Sequence, residues 1–194
     1  AVQWHNRIHL IMTANAEWVV PASHDERRYA MFNVSEKYMG NEKYFAELHA
    51  EINNGGLEAM LHDLQNVKLG NWHPRYILKT QALTEQKIQS MTPIQEWWEA
   101  LLQEGHIPAA PKDSPDSAMA IYLLNHAKEF AVRLRDLTPT RLGRFLAERG
   151  CIKLHRATGN AWRFPELPKA RSDWERYYQG WKWEHAADRW QSKQ

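Results

Sequence analysis

Between Ala118 and Phe164 the spacing of apolar residues switches from helical to alternating, and this switch constrains the fold more than any other feature of the chain. Ile121, Leu124 and Ala127 recur at helical spacing, which predicts an amphipathic helix over Ala118–Phe130. Thr138-Pro139 then supplies a helix cap followed by a proline at the first helical position, where its missing N–H is no loss. The helix it opens carries Leu142, Phe145 and Leu146 on one face and stops at Gly150. Ile152–Arg156 and Ala161–Phe164 read as short strands, and Ala157-Thr158-Gly159-Asn160 between them is a hairpin signal. Pro165 closes the hairpin, and a further helix carries Trp174, Tyr177 and Tyr178.

Helix, helix and hairpin in this order are the pattern of a winged helix–turn–helix, and the charge agrees with that use. Residues 1–110 carry nine Lys/Arg against thirteen Asp/Glu, whereas residues 111–194 carry sixteen against ten. The surplus concentrates between Ala131 and Arg171, where ten Lys/Arg face three acids. A basic half is the half expected to meet phosphate. With Leu142, Phe145 and Leu146 inward, Thr140, Arg141 and Arg144 point outward near the N-terminal half of their helix, the half a recognition helix presents to DNA. Lys153, His155, Arg156 and Arg163 lie on or beside the hairpin, where a wing touches phosphates. The plainer alternative is a solvated basic surface. Trp181, Trp183 and Trp190 admit a similar choice between stacking on bases and closing a small core.

Upstream the pattern differs. Arg7–Thr13 is a nearly continuous apolar run, as in a strand buried on both faces, and Tyr29–Val34 is a second strand candidate. Two strands do not make an independent sheet, so their neighbours are expected to lie upstream of Ala1. Helical spacing follows over Glu42–Ile52, Leu57–Leu64 and about Thr80–Ser90, with Gly55-Gly56 as a stop. Thr92-Pro93-Ile94-Gln95 is a capping box opening a helix with Trp97, Trp98, Leu101 and Leu102. The stretch 106–117 holds three prolines and reads as a linker. The predicted chain is α+β and mostly helical: 1–105 completes an ATPase domain with its following helices, and 118–194 forms the winged-helix domain.

Several classes are excluded. No apolar run reaches the ~18 residues a membrane span requires. The single cysteine, Cys151, rules out an internal disulfide framework and fits a reducing cytoplasm. No glycine is followed by Lys-Ser or Lys-Thr, so the chain has no P-loop to cradle phosphates.

Two short motifs bear on nucleotide chemistry. Asn15, at the end of the first predicted strand, is either a turn residue or a sensor that orients the attacking water beside a γ-phosphate. In Asp25-Glu26-Arg27-Arg28 the arginines either pair with the adjacent acids or offer a guanidinium to a neighbouring subunit's phosphate. The order Ile11-Met12-Thr13-Ala14-Asn15, Val19-Val20-Pro21, Asp25-Glu26-Arg27-Arg28-Tyr29 and Val34-Ser35 resembles the late ATPase motifs of superfamily 3 helicases. The similarity is to the phage and prophage primase-helicase branch, related to the poxvirus primase-helicase. It runs on through Gly40-Asn41-Glu42-Lys43-Tyr44-Phe45, Thr92–Trp98, Gly150, Arg156 and Arg163-Phe164-Pro165-Glu166-Leu167.

The resemblance implies a sensor role for Asn15 and an arginine-finger role for Arg27 or Arg28, acting across subunits of a hexameric ring on DNA. It also implies ATP and magnesium as cofactors of the full-length protein, bound by motifs upstream of Ala1. The present chain is expected to bind neither cofactor and to lack ATPase activity alone. The rival readings are a stand-alone winged-helix regulator and a replisome protein-interaction module.

Overall fold

The computed structural model describes residues 10–192 apart from 24, 27, 74, 75 and 77. The fold is α+β, about 46% helical, with one three-stranded antiparallel sheet. Two compact units emerge: residues 27–83, and residues 84–194 together with the N-terminal segment up to Glu26.

In the larger unit, α4 (Pro93–Glu104) starts as its sequence requires. Pro93 sits in the first turn, and the Gln95 Oε1 accepts from the Thr92 N–H at 2.8 Å. Gly105 ends it with φ +64°, a left-handed conformation suited to glycine. Its apolar stripe of Trp97, Trp98, Leu101 and Leu102 is buried. Next come β1 (Ser117–Met119), α5 (Ala120–Phe130), a short 3-10 turn at Val132–Leu134 and α6 (Pro139–Glu148). The hairpin β2 (Ile152–Arg156) and β3 (Gly159–Arg163) leads into α7 (Leu167–Glu175). The sheet order is β1-β3-β2, with β3 central. β1 escaped the sequence reading because three residues are too few to show a period; its pairing with β3 defines it.

Aromatic side chains dominate the core. Trp98 stacks on Phe164 at 5.5 Å and meets Phe145 edge-on at 6.1 Å, and Phe164 in turn meets Trp190. The Trp190 indole donates to the Pro165 carbonyl at 2.7 Å. Trp181 and Trp183 pack against the same cluster, so the C-terminal tryptophans close a core. Fully burying one such side chain removes ~150–250 Å² from water, worth roughly 4–6 kcal/mol.

The proline-rich stretch 106–117 differs from the expected linker. Ile107 is fully buried, His106 Nδ1 lies 2.8 Å from the Gln191 carbonyl, and Ser117 begins β1. Few bulky apolar residues are needed there, because the stretch is pinned at both ends. The helix α4 therefore belongs to the same core as α5, α6 and the sheet.

The predicted strands upstream also differ. Residues 7–9 lie outside the described residues; 10–13 and 29–34 are irregular, with Ile11, Phe32 and Val34 strongly exposed. A strand needs a neighbour for its N–H and C=O groups, and none pairs with these segments among the described residues. What fixes the N-terminal segment is α3 (Gln81–Gln89), which straddles the division between the units. The Gln86 amide accepts from the Val19 N–H at 2.8 Å and donates to the Glu17 carbonyl. Just beyond α3, Ser90 accepts from the Ala22 N–H and the Trp18 indole, leaving Ala22 buried.

In the smaller unit, α1 (Glu42–Glu51) is capped by Asn41, whose Oδ1 accepts from the Tyr44 N–H at 3.0 Å. Non-helical Asn54 and Gly55, the latter at φ +89°, separate it from α2 (Leu57–Asn66). Neither helix has a buried residue, and Leu57, Met60, Leu61 and Leu64 form an exposed apolar stripe.

Candidate nucleic-acid interface

Helix α6 divides cleanly. Leu142, Phe145 and Leu146 are buried, while Thr140, Arg141 and Arg144 are exposed on the opposite side. At 100° per residue those three positions span one face, and Arg141 and Arg144, three apart, are surface neighbours. Thr138 fixes where the helix starts: its Oγ1 accepts from the Arg141 N–H at 3.3 Å. Among the described residues neither arginine side chain forms an ion pair, so both guanidiniums are available to an anion.

The hairpin residues fall on two sides of the sheet. Partners across an antiparallel rung project to the same side. Trp162 faces α6, since a Cβ placed on Gly143 would meet its ring at 3.3 Å. Lys153 pairs with Trp162 and His155 with Asn160, so Lys153 and His155 project to the α6 side. Arg156 alternates to the other side, where Arg163 and Ser117 stand in register. There the Arg156 Nη2 donates to Ser117 Oγ at 3.0 Å, and Arg163 Nε lies 3.8 Å from Asp116.

The structure thus places Thr140, Arg141, Arg144 and Lys153 on the α6 side of the sheet, and Arg156 and Arg163 on the other. Arg133 and Arg135, exposed on the turn between α5 and α6, add two cations that periodicity did not single out, because a turn has no period. The count of ten cations overstates the surface: Arg171 is buried and Arg149 half-buried.

Asn15 is exposed on a bend, Arg28 is exposed in the smaller unit, and Arg27 lies outside the described residues. Glu26 is buried, and Asp25 accepts from Ser23 Oγ at 2.8 Å. No group of three or more His, Cys, Asp or Glu suited to a metal occurs among the described residues. Among the described residues no helix is long and apolar enough to cross a membrane. Comparison with protein-family models, with curated proteins and with solved structures gives no match.

Proposed function

We propose that residues 93–192 form a winged-helix module that binds the phosphate backbone of duplex DNA through α6. The observation that carries the reading is the outward face of α6, with Thr140, Arg141 and Arg144 exposed, Lys153 on the same side of the sheet, and no acid among the described residues paired to either arginine. The topology supports it: α4, β1, α5, α6 and the β2–β3 hairpin, with sheet order β1-β3-β2, follow the winged-helix plan. A helix is ~10–12 Å across with its side chains, so α6 can enter a major groove ~12 Å wide. Arginine serves both phosphate oxygens and guanine edges, so a loss common to all sequences is what marks backbone contact.

The test is DNA affinity of the whole chain as a function of salt. Binding should weaken steeply, by about 0.9 log units per phosphate contact for each log unit of salt. Arg141→Ala with Arg144→Ala should weaken binding to all sequences alike and flatten that slope by about two units. Absence of binding at low salt would overturn the reading.

The module's place in a larger machine follows from the motif order in the sequence. On that reading the chain is the C-terminal part of a phage-type replicative primase-helicase, with Asn15 as sensor and Arg27 or Arg28 as arginine finger of a hexameric ATPase. The exposed apolar stripe of α2 supports a role for the smaller unit in contacting further protein. In the full-length protein, Arg28→Ala or Arg27→Ala should abolish ATP turnover while leaving nucleotide binding nearly intact, because a finger acts on charge developing in the transition state. Normal turnover in both variants would remove the finger assignment.

A further inference from the structure

We propose that the exposed face of α2 is a docking site for a cationic amphipathic helix of another protein. The proposal rests on the reading that the smaller unit contacts further protein, and it names that partner's chemistry. Leu57, Met60, Leu61 and Leu64 recur at i, i+3, i+4 and i+7, so they form one apolar stripe, about 10 Å long at ~1.5 Å per residue. Each is between 54% and 63% exposed, and no residue of α1 or α2 is buried. Isolated helices shorter than ~12–15 residues are marginal in water, and helical stability in proteins comes chiefly from burying an apolar face. With ten residues each and nothing buried, both helices lack that contribution. An apolar surface laid along the stripe supplies it to α2.

Charge selects the partner. Around the helix axis Glu58 falls about 60° beyond Leu61 on one side of the stripe, and Asp63 about 60° beyond Met60 on the other. Both acids are exposed. Asp63 Oδ1 lies 3.5 Å from Nδ1 of the neighbouring His62, and Glu58 has no ion pair among the described residues. Helix α2 contains no lysine or arginine; the nearest in sequence are Lys43 and Lys68. Over residues 42–66 five acids accompany one lysine, and Glu47 engages that lysine at 3.8 Å. An apolar stripe edged by acids on both sides accepts a helix whose own apolar face is edged by Lys or Arg, the way flanking charges choose partners in paired helices. The same acids oppose other occupants. A second copy docked stripe to stripe would set acid against acid, and anionic lipid or nucleic acid meets the same repulsion. Arg141 and Arg144 lie in the larger unit, so DNA binding is tested separately from this face.

The Met60 methyl group is the reporter. In ¹H–¹³C spectra of the whole chain its signal is identified by its loss in Met60→Leu. Three synthetic peptides are then titrated, identical in a leucine face at i, i+3, i+4 and i+7 and carrying Lys, Gln or Glu at every other position. The expected result is a saturable shift with the Lys peptide, about tenfold tighter than with the Gln peptide and weakening as salt rises, and no shift with the Glu peptide. Leu61→Ser, an exposed change that spares the core, should weaken the Lys and Gln peptides alike, by about tenfold. Glu58→Gln with Asp63→Asn keeps the shape of the helix surface. It should bring the Lys peptide down to the Gln level and leave the Gln peptide unchanged, a pattern that loss of folding does not give. Equal affinity for the Lys and Gln peptides, or a Lys preference that survives Glu58→Gln with Asp63→Asn, overturns the cationic partner and leaves the protein-contact reading standing. Unchanged affinity in Leu61→Ser, or no shift with any peptide, overturns both. A shift on concentrating the chain alone, with a doubled mass in sedimentation, overturns the proposal and gives the stripe to a second copy.

Discussion

Replacing Arg171 tests how the two ends of the larger unit are joined. Its guanidinium is buried and donates to three carbonyls. Nε and Nη2 reach the Leu102 carbonyl at 3.0 and 2.7 Å, and Nη1 reaches the Ala187 carbonyl at 2.8 Å. The Gln103 carbonyl lies 3.4 Å from Nη2, and the Trp183 ring covers the group at 4.9 Å. Leu102 and Gln103 sit in the last turn of α4, whose carbonyls have no intrahelical donor and carry the negative end of the helix dipole. A cation there supplies donors and charge together. Hydrogen bonds to a charged group contribute about 1.5–3 kcal/mol each, and a carbonyl left buried without a donor costs about 1–3 kcal/mol. Arg171→Met keeps most of the volume and removes every donor, so a loss of roughly 4–6 kcal/mol is expected, a large part of a normal 5–15 kcal/mol. Arg171→Lys keeps the charge but cannot fork to Leu102 and Ala187 together, and should lose about half as much. Urea unfolding followed by tryptophan fluorescence measures both. A loss under ~1 kcal/mol for Arg171→Met would refute the clamp.

Two further outcomes are expected. A fragment of residues 80–194 should fold, whereas 116–194 should not, because excision at 116 removes Trp97, Trp98, Leu101 and Leu102 from the shared core; circular dichroism of the two fragments decides this. Stability should also fall in alkali. Burial pushes Tyr178 from 10.0 to about 12 and Cys151 from 9.0 to about 12, so the folded state holds both neutral. Each contribution is complete below the ordinary value and is lost as pH rises towards about 12; Tyr178 alone supplies roughly 2–3 kcal/mol at ~1.4 kcal/mol per unit. Comparing urea midpoints at pH 8 and pH 11, Tyr178→Phe should shrink the fall, and an unchanged fall would remove Tyr178 as its cause.

How much of this was legible in the sequence varies with the kind of signal. The helix starts at Pro93 and Pro139 and the hairpin strands were readable, because caps and alternation are local. So was the outward set Thr140, Arg141 and Arg144, since a helix with three buried positions fixes its opposite face. What failed were properties set by distant partners. The apolar run at Arg7–Thr13 has strand composition, but no neighbouring strand pairs with residues 10–13 among the described residues. The prolines of 106–117 suggested a linker, but contacts with Gln191 and the core hold the stretch in place. Net charge likewise cannot say that Arg171 is consumed inside, or that Arg156 and Arg163 leave the sheet opposite to α6.

That last division yields the sharpest test of the proposed interface. If α6 carries the DNA contact, Lys153 shares its side of the sheet and should hold a phosphate, whereas Arg156 and Arg163 are on the far side, near Ser117 and Asp116. Lys153→Ala should then flatten the salt slope by about one unit, as one lost contact requires. Arg156→Ala with Arg163→Ala removes two charges from the chain, so some affinity is lost through the long-range field. At physiological salt the field decays over ~8 Å, and the slope should change by much less than two units. All three side chains are exposed, so the variants are expected to keep the fold, and thermal melts can verify this before binding is measured. The comparison is internal: the same DNA, the same salt series, and one or two cations removed from each side. A larger loss of slope from the Arg156 and Arg163 pair than from Arg141 and Arg144 would reverse the assignment and place the DNA on the opposite side of the hairpin.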